Sequence, residues 1–124
     1  MPRISSAVIV RYTLTLLFLW FGTQQLIDPS AWIGFLPEWV GYIPVPAETF
    51  VRLNGLMEVV FALLLGIGAY TRIAAAILGL HLLGIAISVG NATGVRDAAL
   101  ALCTLSIALN QPDERTLDAR TKKD

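Results

Sequence analysis

Charge is missing from most of this chain. Eight of its eighteen formally charged side chains crowd into the last twelve residues (Asp113, Glu114, Arg115, Asp118, Arg120, Lys122, Lys123 and Asp124), leaving ten for the first 112. A water-soluble domain of this size cannot be clothed by so few. Four apolar stretches, residues 7–27, 50–70, 73–89 and 97–110, instead have the composition of membrane crossings. A crossing takes about 20 residues, with about 17 acceptable. The first two stretches meet that length and the third is at its margin, while the fourth reaches it only if residues 94–96 or those beyond 110 extend it. The expected fold is all-α: an integral membrane four-helix bundle over residues 1–112, followed by a charged cytoplasmic tail over 113–124.

The first stretch reads as a retained helix rather than a cleaved leader. Arg11 interrupts its apolar run, and no small-x-small cleavage site precedes Gln24-Gln25. With four crossings, the N-terminus, the turn at 71–72 and the tail share one side, with Arg3, Arg72, Arg115, Arg120, Lys122 and Lys123, and with Arg11 near it. The opposite side has only Arg52 and Arg96. Excess Lys and Arg mark the cytoplasmic face, so the expectation is a multi-pass protein of the inner (plasma) membrane with both termini in the cytoplasm. Zero net charge hides this asymmetry and says nothing about nucleic acid, but the lack of a basic patch with interleaved aromatics gives no footing for it.

One long connection is expected, on the outer face between the first two helices. Residues 28–48 carry prolines at 29, 37, 44 and 46, which oppose a continuous helix, and Trp32, Phe35, Trp39 and Tyr42, which suit the headgroup region. The plain reading is interfacial anchoring, and the functional one is a cover over the mouth of the bundle.

Two ionisable residues stand deep inside apolar stretches. Glu58 and His81 each lie near the middle of a predicted crossing, on consecutive antiparallel helices, so their side chains can meet. A charge at mid-bilayer costs roughly 2.5–3.5 kcal/mol, so such groups face a bundle interior and find a partner. Asn54, Glu58, Ala62 and Gly66 recur every four positions and form a narrow polar and small-residue stripe. His81, Gly84 and Ser88 share a face of the third helix, and Asp97, Ala101, Thr104 and Ala108 share one on the fourth. A second polar cluster gathers near the outer face: Gln24 and Gln25, Asp28, Arg52, Asn54, Arg96 and Asp97. Pairing of Arg52 or Arg96 with Asp28 or Asp97 would close that end; the plain alternative is helix capping and snorkelling to water. The candidate ligand- or partner-binding residues are thus Glu58, His81, Asn54, Arg52, Gln24, Asp28, Arg96 and Asp97.

Cysteine and histidine counts exclude several chemistries. Cys103 is alone, so the chain by itself forms neither a disulfide nor a Cys-x-x-Cys redox pair. One histidine cannot supply both axial ligands of a bis-His haem in one protomer. No nucleotide-binding or metal-cluster motif is present, so neither a metal site nor a covalently bound cofactor is expected.

Three segments, RYTLTLLFLWFGTQQLIDPSAW, LNGLMEVVFALLLGIGAYTR and RDAALALCTLSIAL, resemble the DoxX/DoxD-like small membrane proteins, a family of four-helix bundles. The likeness rests on Phe21-Gly22 through Asp28-Pro29, on Asn54-Gly55-Leu56-Met57-Glu58 and on Arg96-Asp97. Where many members carry Lys after the aromatic-Gly turn, this chain has Gln24-Gln25. The resemblance implies a place in membrane redox chemistry, since some relatives are subunits of a thiosulfate:quinone oxidoreductase and others are partners in oxidative-stress complexes.

Three readings follow. The leading one is a subunit or scaffold of a membrane redox complex, at most a non-catalytic or quinone-binding part of an oxidoreductase, with quinone as the ligand and a redox subunit as the partner beside the lipid bilayer. The second is a stand-alone binder or transporter of a small lipid or solute, and the third a structural assembly module. The small-residue faces suit a homo-oligomer as well as internal packing.

Overall fold

The computed structural model describes residues 5–36, 41–89, 92–109, 112–113 and 116–121. Every regular element among them is helical. The order is α1 (Ser6–Ile27), a 3₁₀ segment (Pro29–Phe35), α2 (Ala47–Ile67), α3 (Thr71–Val89), α4 (Ala92–Leu109) and a short α5 (Leu117–Thr121). Three of the helices, α1, α2 and α4, are long and apolar enough to cross a membrane, and α3 contributes a shorter apolar run, Thr71–Ile87. The fourth stretch gains its length at its start: α4 begins at Ala92 and takes in residues 94–96. Asn110 lies outside the described residues. Large apolar side chains such as Leu16, Leu63, Ile87 and Leu102 point outward on all four helices, the pattern of surfaces solvated by lipid rather than water.

The helices associate as two close pairs, α1 with α2 and α3 with α4, and the pairs meet more loosely. Small residues set the close contacts. A Cβ on Gly22 would lie 2.8 Å from the Gly55 carbonyl oxygen, and one on Gly55 2.7 Å from that of Gly22, so α1 and α2 cross backbone to backbone. On the other pair, a Cβ at Gly79 would meet Leu105 Cγ at 2.7 Å. Leu14, Phe18, Ala62, Leu65, Ala74, Ala75 and Leu78 form an apolar core that extends to the last turn of α2 and the first turn of α3.

Polar groups seal the end of the core that holds the N-terminus of α1. Arg11 is completely buried. Its Nε donates to Asp113 Oδ2 at 2.7 Å, its Nη2 to Asp113 Oδ1 at 3.3 Å, and its Nη1 to the carbonyls of Leu65 and Gly66 at 2.9 and 2.7 Å. Those carbonyls belong to the last turn of α2, which lacks acceptor-satisfying N–H groups of its own. The guanidinium thus caps a helix C-terminus, where a cation is favoured, and neutralises a carboxylate in one stroke. Arg72 Nε does the same for α4 by donating to the Ala108 carbonyl at 2.8 Å.

The connection between α2 and α3 falls earlier than the expected turn at 71–72. Gly68, at φ 80°, closes α2 in the left-handed region, and its N–H reaches the Leu64 carbonyl. Thr71 and Arg72 instead open α3, because Asp118 supplies the cap. Its carboxylate accepts from Tyr70 N–H at 3.0 Å and Thr71 N–H at 2.7 Å, while Asp118 N–H donates to the Gly68 carbonyl at 2.8 Å. Residues 116–118 therefore lie against the bundle. Thr116 sits directly on Gly68, where any Cβ would collide with it.

The Arg11 cluster predicts a stability effect. Arg11→Met takes the guanidinium away from a buried carboxylate and two helix-terminal carbonyls, and should cost about 3–5 kcal/mol in detergent unfolding, with Arg11→Met/Asp113→Leu recovering most of it. Unchanged stability in the single variant would contradict the cap. Asp118 predicts a pH effect. Burial works against its ionisation, but the N–H groups of Thr71 and Tyr70 outweigh it and hold the carboxyl below its usual range. Its stabilisation is therefore present above the ordinary carboxylate range, about pH 4, and is lost as pH falls through the lower folded value. Hydrogen-exchange protection at Tyr70 and Thr71 should fall in that acid range in the wild type, and be low at every pH in Asp118→Ala, which has no acceptor there.

Candidate functional site

At the opposite end the looser meeting of the two helix pairs leaves a cavity of about 650 Å³. Its wall is apolar: Leu17, Phe18 and Phe21 from α1, Leu80 and Ile85 from α3, and Leu100 from α4. Phe18 also belongs to the core, so the core forms the floor of the chamber. Trp32, from the 3₁₀ segment, leans edge-on against Trp20 and Phe21, with ring centroids 6.4 and 5.5 Å away, and lines the same space. Pro29 opens that segment, where its fixed φ and missing N–H suit a helix start. Trp39, expected in the same cover, lies outside the described residues.

A chain of polar side chains crosses one wall. Asn54 Nδ2 donates to Gln25 Oε1 at 2.7 Å, and Gln25 Nε2 donates to Glu58 Oε2 at 2.8 Å and to the Phe21 carbonyl at 3.2 Å. Glu58 is 4% exposed. Its other oxygen, Oε1, stands 3.7 Å from His81 Nε2, beyond hydrogen-bonding distance. Nε2 is itself buried and makes no hydrogen bond among the described residues. The Gly22–Gly55 crossing produces this arrangement, because Gln25 follows Gly22 by one turn of α1 and Glu58 follows Gly55 by one turn of α2. A tighter or looser crossing would separate the amide from the carboxylate.

Five of the eight residues singled out from the sequence line the cavity: Glu58, His81, Asn54, Arg96 and Asp97. The other three do not. Gln24 is half-buried outside it, Arg52 is exposed with no ion pair among the described residues, and Asp28 is exposed and accepts from Ser30 Oγ at 2.9 Å. Arg96 and Asp97 are neighbours at the cavity edge, with Nε and Oδ1 4.0 Å apart. Ala62 and Ala101 are fully buried, as the stripes on α2 and α4 imply. Gly84 is exposed to the chamber, and the side chain of Ser88 lies outside the described residues. The sequence reading placed both glutamines in the outer cluster but chose Gln24 as the candidate and passed over Gln25, which is the one in the network. The signal that separates them is helical spacing, since Gln25 lies on the face of Gly22 and Gln24 does not.

The DoxX family model matches residues 6–91 of this chain. The chain belongs to the DoxX family. It is a DoxX membrane protein built from apolar helices. The match takes in α1, α2 and α3 entire, with Gln25, Asn54, Glu58 and His81; α4, with Arg96 and Asp97, lies beyond it. No curated protein and no solved structure gave a match.

Two glycines of this DoxX chain should respond oppositely to a single methyl group. Gly55→Ala drives Cβ into the Gly22 carbonyl and Gln25 Cβ and should cost about 1–3 kcal/mol. A Cβ on Gly84 meets nothing within 4 Å, so Gly84→Ala should be neutral or raise stability by up to about 1 kcal/mol through helix propensity. Thermal unfolding in one detergent decides both, and equal losses would refute the geometry.

Proposed function

We propose that this protein crosses the membrane four times with both termini in the cytoplasm. Its cavity holds the ring of a small lipid-soluble molecule of the quinone class, and the chain serves as the ligand-binding subunit of a membrane redox complex. One observation carries the reading: an apolar chamber of about 650 Å³ ends on a buried carboxylate and an imidazole nitrogen with no hydrogen-bond partner among the described residues. Small-molecule sites have this form, with a volume of about 300–1,000 Å³, apolar walls and a few convergent polar groups. Polar groups that merely fixed helix register would be packed shut. The side-chain chemistry suits a ring bearing oxygens, since Glu58 and His81 exchange protons as well as hydrogen bonds.

Electrons must come from elsewhere in such a complex. A lone cysteine and a lone histidine provide neither a dithiol nor the ligands of a cluster within this chain, so a partner subunit supplies the carrier. The imbalance of Lys and Arg between the two ends supports cytoplasmic termini and, with them, a chamber in the outer half of the bilayer. Passage of a solute through the molecule is disfavoured by the core and by the Arg11–Asp113 cap, which fill the other half.

Mild purification from the native membrane, with mass spectrometry of what accompanies the protein, tests the reading. The expected result is a quinone-class molecule in near-stoichiometric amount together with a redox subunit. Gly84→Phe, which fills the chamber from a position with open space, should lose the small molecule and keep the fold. Wild-type protein carrying a different lipid, or nothing, would contradict the proposal.

A further inference from the structure

The polar end of the cavity also says which oxidation state of such a ring it suits. Backbone carbonyls only accept, so the Phe21 carbonyl fixes the Gln25 side chain with its nitrogen toward both that carbonyl and Glu58. Glu58 Oε2 is therefore committed as an acceptor. What remains is Oε1 facing His81 Nε2 at 3.7 Å. When these two atoms hold one proton between them, one is a donor and the other an acceptor, whichever carries it. A carboxylate opposite a protonated Nε2 meets that description, and so does a carboxylic acid opposite a bare Nε2.

The complement of a facing donor and acceptor is a group that is both. A hydroxyl donates one hydrogen bond and accepts others, whereas a ring carbonyl or an ether oxygen only accepts. A carbonyl would satisfy the donor and leave its neighbour desolvated and unmatched, the costly outcome for a buried polar atom. Admitting an oxygen at about 2.8 Å from each atom opens their separation to about 4.5 Å, which a rotation of the half-buried His81 side chain provides. The walls suit an aromatic body: Phe21 and Trp32 already pack edge-to-face and flank the chamber. Resting on the ligand class proposed above, we infer that the site is built for a hydroxyl-bearing aromatic ring, and takes the hydroquinone form of a quinone couple in preference to the quinone.

The consequence is electrochemical. A tenfold preference for the reduced form raises the midpoint potential of the bound two-electron couple by about 30 mV. The site would hold product where the complex reduces quinone, or present substrate where it oxidises quinol.

Calorimetric titration of the protein in nanodiscs, with empty nanodiscs subtracted and oxygen excluded, compares trimethylhydroquinone, its quinone and its dimethyl ether. The hydroquinone should bind about tenfold or more tightly than either, and Glu58→Met should bring the three dissociation constants together by weakening the hydroquinone alone. The wild-type comparison decides without that variant, should it fold poorly. Equal affinities, or a tighter quinone, overturn the inference while leaving ring binding intact. No saturable heat from any of the three overturns the inference and the ligand reading together.

Discussion

A charged or polar group removed from water into lipid must find its partner inside the protein, and that requirement organises both ends of this molecule. At one end the buried charged groups are matched. Arg11 divides its donors between a carboxylate and the carbonyls that a helix terminus leaves without N–H partners, so that two costly features cancel. At the other end the matching is incomplete. Glu58 is held by Gln25, which is held by Asn54, but the histidine nitrogen opposite has no hydrogen-bond partner among the described residues. An unfinished network inside an apolar wall is expected where a ligand finishes it.

Helix packing separates these two ends. Glycine crossings draw α1 onto α2 and α3 onto α4, and the large side chains of the core then fill the space between the pairs only part of the way. Beyond Phe18 the pairs no longer fill the gap, and the chamber begins. The same Gly22–Gly55 contact that brings the helices together also sets Gln25 over Glu58, so local packing and site geometry have a single cause.

Much of this was legible in the residues. The scarcity of charge before residue 113 announces apolar helices, and four-residue spacing on α2 correctly turns Glu58 and Ala62 inward. The approach of His81 to Glu58 follows from antiparallel neighbours of similar length. Other features were out of reach for physical reasons. Arg11 signals by its place in an apolar run that it needs a partner, but that partner, Asp113, is 102 residues away in a stretch that reads as a solvated tail. The same is true of Asp118, whose capping role depends on the chain returning to the start of α3. Arg52 and Asp28 look like site residues because they are charged near helix ends, and the helix rotation that turns them outward is set by glycine contacts between helices.

The central claim is that the chamber between the helix pairs, and no outer face, receives a lipid-soluble ring. A diazirine-bearing benzoquinol, photolysed in membranes containing the protein and followed by mapping of the labelled peptides, tests it most directly. Adducts are expected on the lining residues Phe18, Phe21, Ile85 and Leu100, and unlabelled hydroquinone should compete them away. Labelling confined to lipid-facing positions such as Leu16 and Leu63, and indifferent to competitor, would contradict it.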